Sequence, residues 1–293
     1  MKRILLFLIT NLAVLFTLSI VANVLCALLG TSMAEVVGPE WANLLIFAFA
    51  YGMIGSIISL LLSKTIAKFA CGARTIDGSE GEAERWLVTT VEDLARRANV
   101  KTPEVAIYEG AANAFATGAF RNSALVAVST DIMRQMSKEE LRAVLGHEMS
   151  HVANGDMVTL TLVQGVLNVF VIIFSRVIAS SLASGGRGSR RSNGGIYILL
   201  VLVLQLVLGI LASLVVMWFS RRREYAADAG SAGLLGTPQP MIAALRRLGN
   251  LQPGTLPDSL KAMGIAEGKR TSIWSTHPSL GDRIAALESW TAA

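Results

Sequence analysis

Charge is scarce in this chain: only 16% of its 293 residues are Asp, Glu, Lys or Arg, while 53% are hydrophobic and the mean hydropathy is +0.54. Typical soluble domains carry roughly 25% charged residues. The composition therefore excludes an ordinary soluble protein and points to the membrane. Cysteine is nearly absent, with Cys26 and Cys71 alone, which excludes a disulfide framework and suits a reducing compartment. Histidine is nearly as rare. Of the three, His147, His151 and His277, two stand four residues apart.

In place of charge the chain has long apolar runs. Ile4 to Gly30, Ala42 to Leu62, Met157 to Ala183 and Ile196 to Phe219 are each long enough to cross a hydrocarbon core of about 30 Å as a helix. The first run follows Lys2 and Arg3 but exceeds the about 7 to 15 residues of a signal-peptide core, so it is expected to stay as an anchor. Cys26 follows "NVL", which is no lipoprotein cleavage box.

A net charge of +5 raises the question of nucleic acid. The basic residues, however, cluster where spans meet water: Lys2 and Arg3, then Lys64, Lys68 and Arg74, then Arg221, Arg222 and Arg223. That is membrane topology, and no nucleic-acid partner is expected. The loop "TSMAEVVGPEW" has Glu35 and Glu40 and no Lys or Arg. Both ends of the first hairpin should therefore face the cytoplasm, together with the region from Ser63 to Asp156. The second hairpin fits this rule less well, because it carries Gln164, Asn168 and Arg176 and leaves through the basic loop "SGGRGSRRSNGG". It is read as spanning, with partial immersion or packing against protein as the alternative.

Between the hairpins the pattern is that of a water-soluble domain. "SEGEAERWLVTTVEDLARRANV" has Ser79 and Glu82 in capping-box spacing and a helical apolar period. "PEVAIYE", "NAFATGA" and "SALVAVST" read as a small β-meander or sheet. "SKEELRAVLGHEMSHVAN" has a second capping box, Ser137 with Glu140, and ends at Asn154-Gly155. Beyond the last span, nothing between Trp218 and Ala229 breaks the helix. "PQPMIAALRRLGN" and "PSLGDRIAALESW" read as two further helices, with a loop-rich stretch from Leu251 to Ser275. No internal repeat and no long low-complexity tract is present.

The chemistry lies in "HEMSH". A spacing of four stacks His147 and His151 on one helix face, close enough to share one ion. Glu148 lies about 100° round the helix, where its carboxylate reaches a water at the metal rather than the metal itself. Zinc suits two neutral imidazoles and a carboxylate with one position left open, and Glu148 would take the water's proton as a peptide carbonyl is attacked. "RRREYAAD" offers Glu224 as third ligand. Asp228, four residues further on, suits the outer shell, accepting the far N–H of a ligating histidine. A helical hairpin in the membrane would bring both ligand segments to its cytoplasmic mouth. For Glu224, a mere charge balance to the three arginines is the plain alternative.

"HEMSHVANGD", "SRRREYAADAGSA", "NAFATG", "THPSLGDRI" and the "ILLFLITNLAV" opening together resemble the bacterial HtpX heat-shock membrane proteases, relatives of the CAAX prenyl-protein endopeptidases. The resemblance covers essentially the whole chain. It implies a zinc endopeptidase, with one zinc per chain, in the bacterial cytoplasmic (inner) membrane. Misfolded or damaged membrane proteins would be its substrates and stress-related quality control its task, with the active site facing the cytoplasm. By that match His147, His151 and Glu224 are the ligands and Glu148 the general base. Asn113 matches a substrate-binding edge strand, a turn role being the alternative. His277 matches an oxyanion donor, plain helix entry before Pro278 being the alternative. Arg283 is a further candidate for the site, against a solvated or structural role.

The expected fold class is an α-helical membrane protein with a cytoplasmic α+β zincin-like protease domain: four transmembrane helices, a small β-sheet and an HExxH helix. The expected segments are an N-terminal hairpin (1–62), a first protease part (63–156), a second hairpin (157–219) and a second protease part (220–293). A zinc-stabilised membrane chaperone or scaffold without proteolysis is the competing function, and Glu148 speaks against it, since a structural site needs no base. A prenyl-protein protease ranks lower, because it would want a chamber built from more spans.

Overall fold

A computed structural model of the chain describes residues 41–184, 194–250 and 277–291. The expected first span, the acidic loop after it, most of the basic loop beyond the third span and the stretch from Leu251 to Ser275 lie outside these residues. In chain order the elements are α1 (Trp41–Cys71), β1 (Arg74–Ile76), α2 (Glu82–Arg97), β2 (Glu104–Tyr108), β3 (Ala114–Thr117), β4 (Leu125–Ser129), α3 (Thr130–Gln135), α4 (Lys138–Asn154), α5 (Asp156–Ser184), α6 (Gly194–Leu235), α7 (Gln239–Asn250) and α8 (Leu280–Glu288). They fall into two compact units, one from residues up to Ile58 and Thr161–Val216, the other from Ser59–Leu160 and from Met217 onward.

In the first unit Ala48 and Met53 of α1 pack on Val169, Ile172, Ile173 and Val177 of α5. Glycines let these backbones approach: a Cβ on Gly52 would stand 2.8 Å from Val169 Cγ2, and one on Gly165 would stand 2.6 Å from Met53 Sδ. Among the described residues three helices, α1, α5 and α6, are long and apolar enough to cross a membrane. At about 1.5 Å per residue, the 42 residues of α6 extend for roughly 63 Å, about twice a bilayer core. No Gly-Pro punctuation stops the helix after Phe219.

The second unit holds a four-stranded sheet of order β1-β2-β4-β3. It is not the meander that the sequence suggests as one option, because β2 pairs parallel with β4, and β3, which lies between them in sequence, is the outer neighbour of β4. Central β4, "LVAVS", is buried at every residue. Alternation sorts the two faces. Val105, Ile107, Ala114, Ala116, Val126 and Val128 face the main core with Leu87 and Leu94 of α2 and Leu145 and Met149 of α4. Tyr108, Phe115, Leu125 and Ala127 face Ala67 near the end of α1.

The start of α2 departs from the capping box expected at Ser79. Its N-cap is Gly81, without a side-chain cap. The Ser79 N–H is taken by Asp77 Oδ1, and Glu80 turns back to accept from the Gly78 N–H, so the preceding turn satisfies itself. Glu82 and Glu84 complement the helix dipole instead. At α4 both halves of the Ser137–Glu140 capping box are formed. The helix ends at Gly155 in the left-handed conformation, φ 69°. An L side chain is disfavoured there. The chain turns and enters α5 at once.

Candidate metal centre

The two histidine rings of α4 meet edge to face at 4.7 Å, with their Nε2 atoms 3.1 Å apart. Glu224 enters from α6, with Oε2 3.4 Å from His147 Nε2 and Oε1 3.3 Å from His151 Nε2. Small residues make this approach possible. Ser231 Oγ donates to the Ala143 carbonyl at 2.7 Å, and Gly146 and Gly230 leave no room for a Cβ against Ser231 and Ser150.

These donors fit a metal ion. Among the described residues His147, His151 and Glu224 form the one group of three or more candidate ligands within 4.8 Å of one another. A tetrahedron with bonds of about 2.0–2.1 Å sets its donors roughly 3.3–3.4 Å apart, close to the separations here. The outer nitrogens are engaged: His147 Nδ1 lies 2.9 Å from Asp228 Oδ1, and His151 Nδ1 lies 2.6 Å from Asp156 Oδ2. Carboxylates on both Nδ1 atoms hold the N–H there, so the two Nε2 lone pairs face each other across the gap. Such a pair asks for a cation between them.

Charge around the gap agrees. Burial pulls the His151 imidazole down, but hydrogen bonds to Asp156 and Glu224 outweigh it and push its pKa up to about 10. His147 is raised likewise, against its burial, by Asp228 and Glu224. Burial raises Glu148 above the usual carboxylate range, with His147 and His151 opposing. The Ala116 backbone N–H of β3 donates to the Glu148 carboxylate.

Two further expected residues, Arg283 and His277, reach the carboxylates of this site. Arg283 of α8, fully buried, donates to Asp228 through Nε at 2.8 Å and Nη2 at 2.6 Å. His277 Nδ1 stands 2.8 Å from Glu224 Oε2. Asn113 precedes β3, and its Oδ1 accepts from the Ala114 N–H while its own N–H donates to Ser129 Oγ, both at 2.9 Å. Asp156 and Arg223 were not foreseen: Arg223 Nε lies 3.2 Å from Asp156 Oδ2. The available signal was "NGD", a carboxylate directly after a helix-ending glycine.

Residues 82–291 match peptidase family M48. The chain belongs to that family. It is 52% identical to the Protease HtpX homolog of Janthinobacterium sp. over 99% of both chains. It is 54% identical to that of Neisseria meningitidis serogroup C, over 99% of this chain and 100% of the relative. These relatives make it an M48 peptidase of the HtpX type, a metallopeptidase with membrane helices. A crystal structure of Ste24p from S. mikatae matches with a TM-score of 0.63 at 20% identity, covering 97% of this chain and 67% of that one. That likeness speaks for the fold alone.

Proposed function

We propose that this M48 peptidase is a zinc endopeptidase of the bacterial inner membrane. It hydrolyses misfolded or damaged membrane proteins at the cytoplasmic face, as part of stress-related quality control. The observation that carries the reading is the convergence of two Nε2 atoms and one carboxylate beside buried Glu148. His147, His151 and Glu224 hold the ion. Zinc, when bound, supplies Lewis-acid polarisation of the scissile carbonyl and a water of lowered pKa.

Glu148 takes the water's proton on its carboxylate and delivers it to the leaving amine nitrogen. A pKa raised by burial suits that double duty. Asp228, braced by Arg283, keeps the His147 N–H on Nδ1. His277, beside the ligand carboxylate, donates to the developing oxyanion. Substrate adds as a strand along β3, the outer strand of the sheet, with Asn113 holding its backbone. An edge strand takes only extended chain, which favours unfolded segments over folded proteins.

Four spans arranged as hairpins 1–62 and 157–219, with protease parts 63–156 and 220–293, complete the proposed organisation. It is supported by basic residues at the ends of the apolar runs. Chelation followed by metal return tests the reading on the full chain in detergent. Loss of cleavage of an unfolded membrane protein on chelation, with recovery on adding zinc, is expected. Indifference to chelation contradicts it.

A further inference from the structure

We infer that Asp156, braced by Arg223, is a positioning residue for His151, doing there what Asp228 and Arg283 do for His147. The inference rests on the proposed metal centre and adds two residues to it. Each imidazole stands at the end of a carboxylate–guanidinium pair. At His147 the pair is Asp228 of α6 with Arg283 of α8. At His151 it is Asp156, the first residue of α5, 2.6 Å from Nδ1, with Arg223 of α6 in an ion pair. The Arg223 Nε lies 3.2 Å from the same oxygen but outside hydrogen-bond geometry, a looser brace than the two hydrogen bonds of Arg283. Asp228, Arg283 and Asp156 are buried, Asp156 being only 6% exposed, and the Arg223 side chain is largely buried at 11% exposed.

An imidazole gives a metal only one nitrogen, and the other nitrogen decides which. A carboxylate fixed on Nδ1 keeps the proton there, leaves the Nε2 lone pair toward the ion and stops the ring from rotating. Arg223 comes from the residue before ligand Glu224, so one turn of α6 supplies both a ligand and the brace for another ligand's partner. Gly155 makes the contact possible. In an unbroken helix residue 156 would point about 140° away from His151 at about 100° per residue. The left-handed turn at Gly155, φ 69°, instead brings the Asp156 carboxylate onto the His151 ring.

A carboxylate in the first turn of α5 also suits the positive end of that helix. Zinc affinity separates the two roles, because helix stabilisation alone leaves it unchanged. The experiment measures zinc affinity of the full-length chain in detergent by competition with a chromophoric chelator. The proteins are wild type, Asp156→Ala, Arg223→Gln and Glu224→Ala, each also loaded with cobalt for its visible spectrum. Asp156→Ala is expected to weaken zinc binding roughly 10- to 100-fold and alter the cobalt spectrum. Arg223→Gln should give a smaller loss of affinity in the same direction.

Zinc affinity and cobalt spectrum unchanged in Asp156→Ala, with zinc lost in Glu224→Ala, overturn the positioning role and leave the centre standing. A wild-type chain that binds no zinc overturns both together. Should Asp156→Ala not fold, Arg223→Gln decides by the same readout: weakened affinity supports the role and unchanged affinity overturns it.

Discussion

Ser150 and Gly230 touch where α4 and α6 cross: a Cβ on Gly230 would stand 2.5 Å from Ser150 Oγ and 2.8 Å from its Cβ. This contact sets how near Glu224 comes to the two histidines. Gly230→Ala must push the helices apart, at a cost of about 1–3 kcal/mol for overpacking. A lower Tm and a lower zinc content in the purified protein are expected. Full zinc occupancy at the wild-type Tm would show that the crossing is not what brings Glu224 in.

Arg283→Ala should be among the most damaging single changes outside the ligands. It leaves Asp228 charged and buried without the two hydrogen bonds that Arg283 makes. Breaking such a pair costs about 3–5 kcal/mol. Arg283→Lys should recover only part, because an ammonium lacks the planar fork that spans both carboxylate oxygens. Thermal melts of the three proteins check the order, and equal melting of Arg283→Ala and wild type would refute it.

In the first unit, Gly52→Leu should loosen the pairing of α1 with α5, where the glycine's missing side chain admits Val169. Overpacking at this contact is expected to cost about 1–3 kcal/mol. Gly55→Leu is the control, since nothing lies within 4 Å of a Cβ at that position. Similar melting of the two variants in detergent would rule out the close approach as a source of stability.

Stability of the chelated protein should fall as pH rises. His151 is held at about 10, above the roughly 6.5 of a free imidazole. Its contribution is therefore complete below about 6.5 and is lost as pH climbs through about 10. Zinc takes the place of that proton, so the zinc-loaded protein should not lose stability over this range. Melting curves at pH 7 and pH 9.5, with and without zinc, check the crossing. A chelated protein that grows more stable with pH would contradict the charge arrangement around His151.

The parts of this chain that sequence made legible were local in origin. The spacing of His147 and His151 names a helix face, Ser137 and Gly155 bound that helix with their own side-chain and backbone chemistry, and the lack of any helix breaker carries α6 past Phe219. What escaped was set by distant contacts. β1 is three residues long with only Ile76 buried, too little for a pattern. The parallel pairing of β2 with β4 is a choice of partner that no local period encodes. Ser79 lost its capping role to a turn made by Asp77 and Glu80. Asp156 was hidden because its reach to His151 depends on the backbone of Gly155, and Arg223 because its partner lies 67 positions away in sequence.

The most direct test of the account is to measure zinc content and cleavage of an unfolded membrane-protein substrate side by side for wild type and Glu148→Gln in detergent. One zinc per chain is expected in both proteins, with cleavage by the variant reduced by at least about 100-fold relative to wild type. Equal cleavage by the two would remove Glu148 as the base. Zinc in both with cleavage by neither would make "HEMSH" a structural clasp and the protein a scaffold.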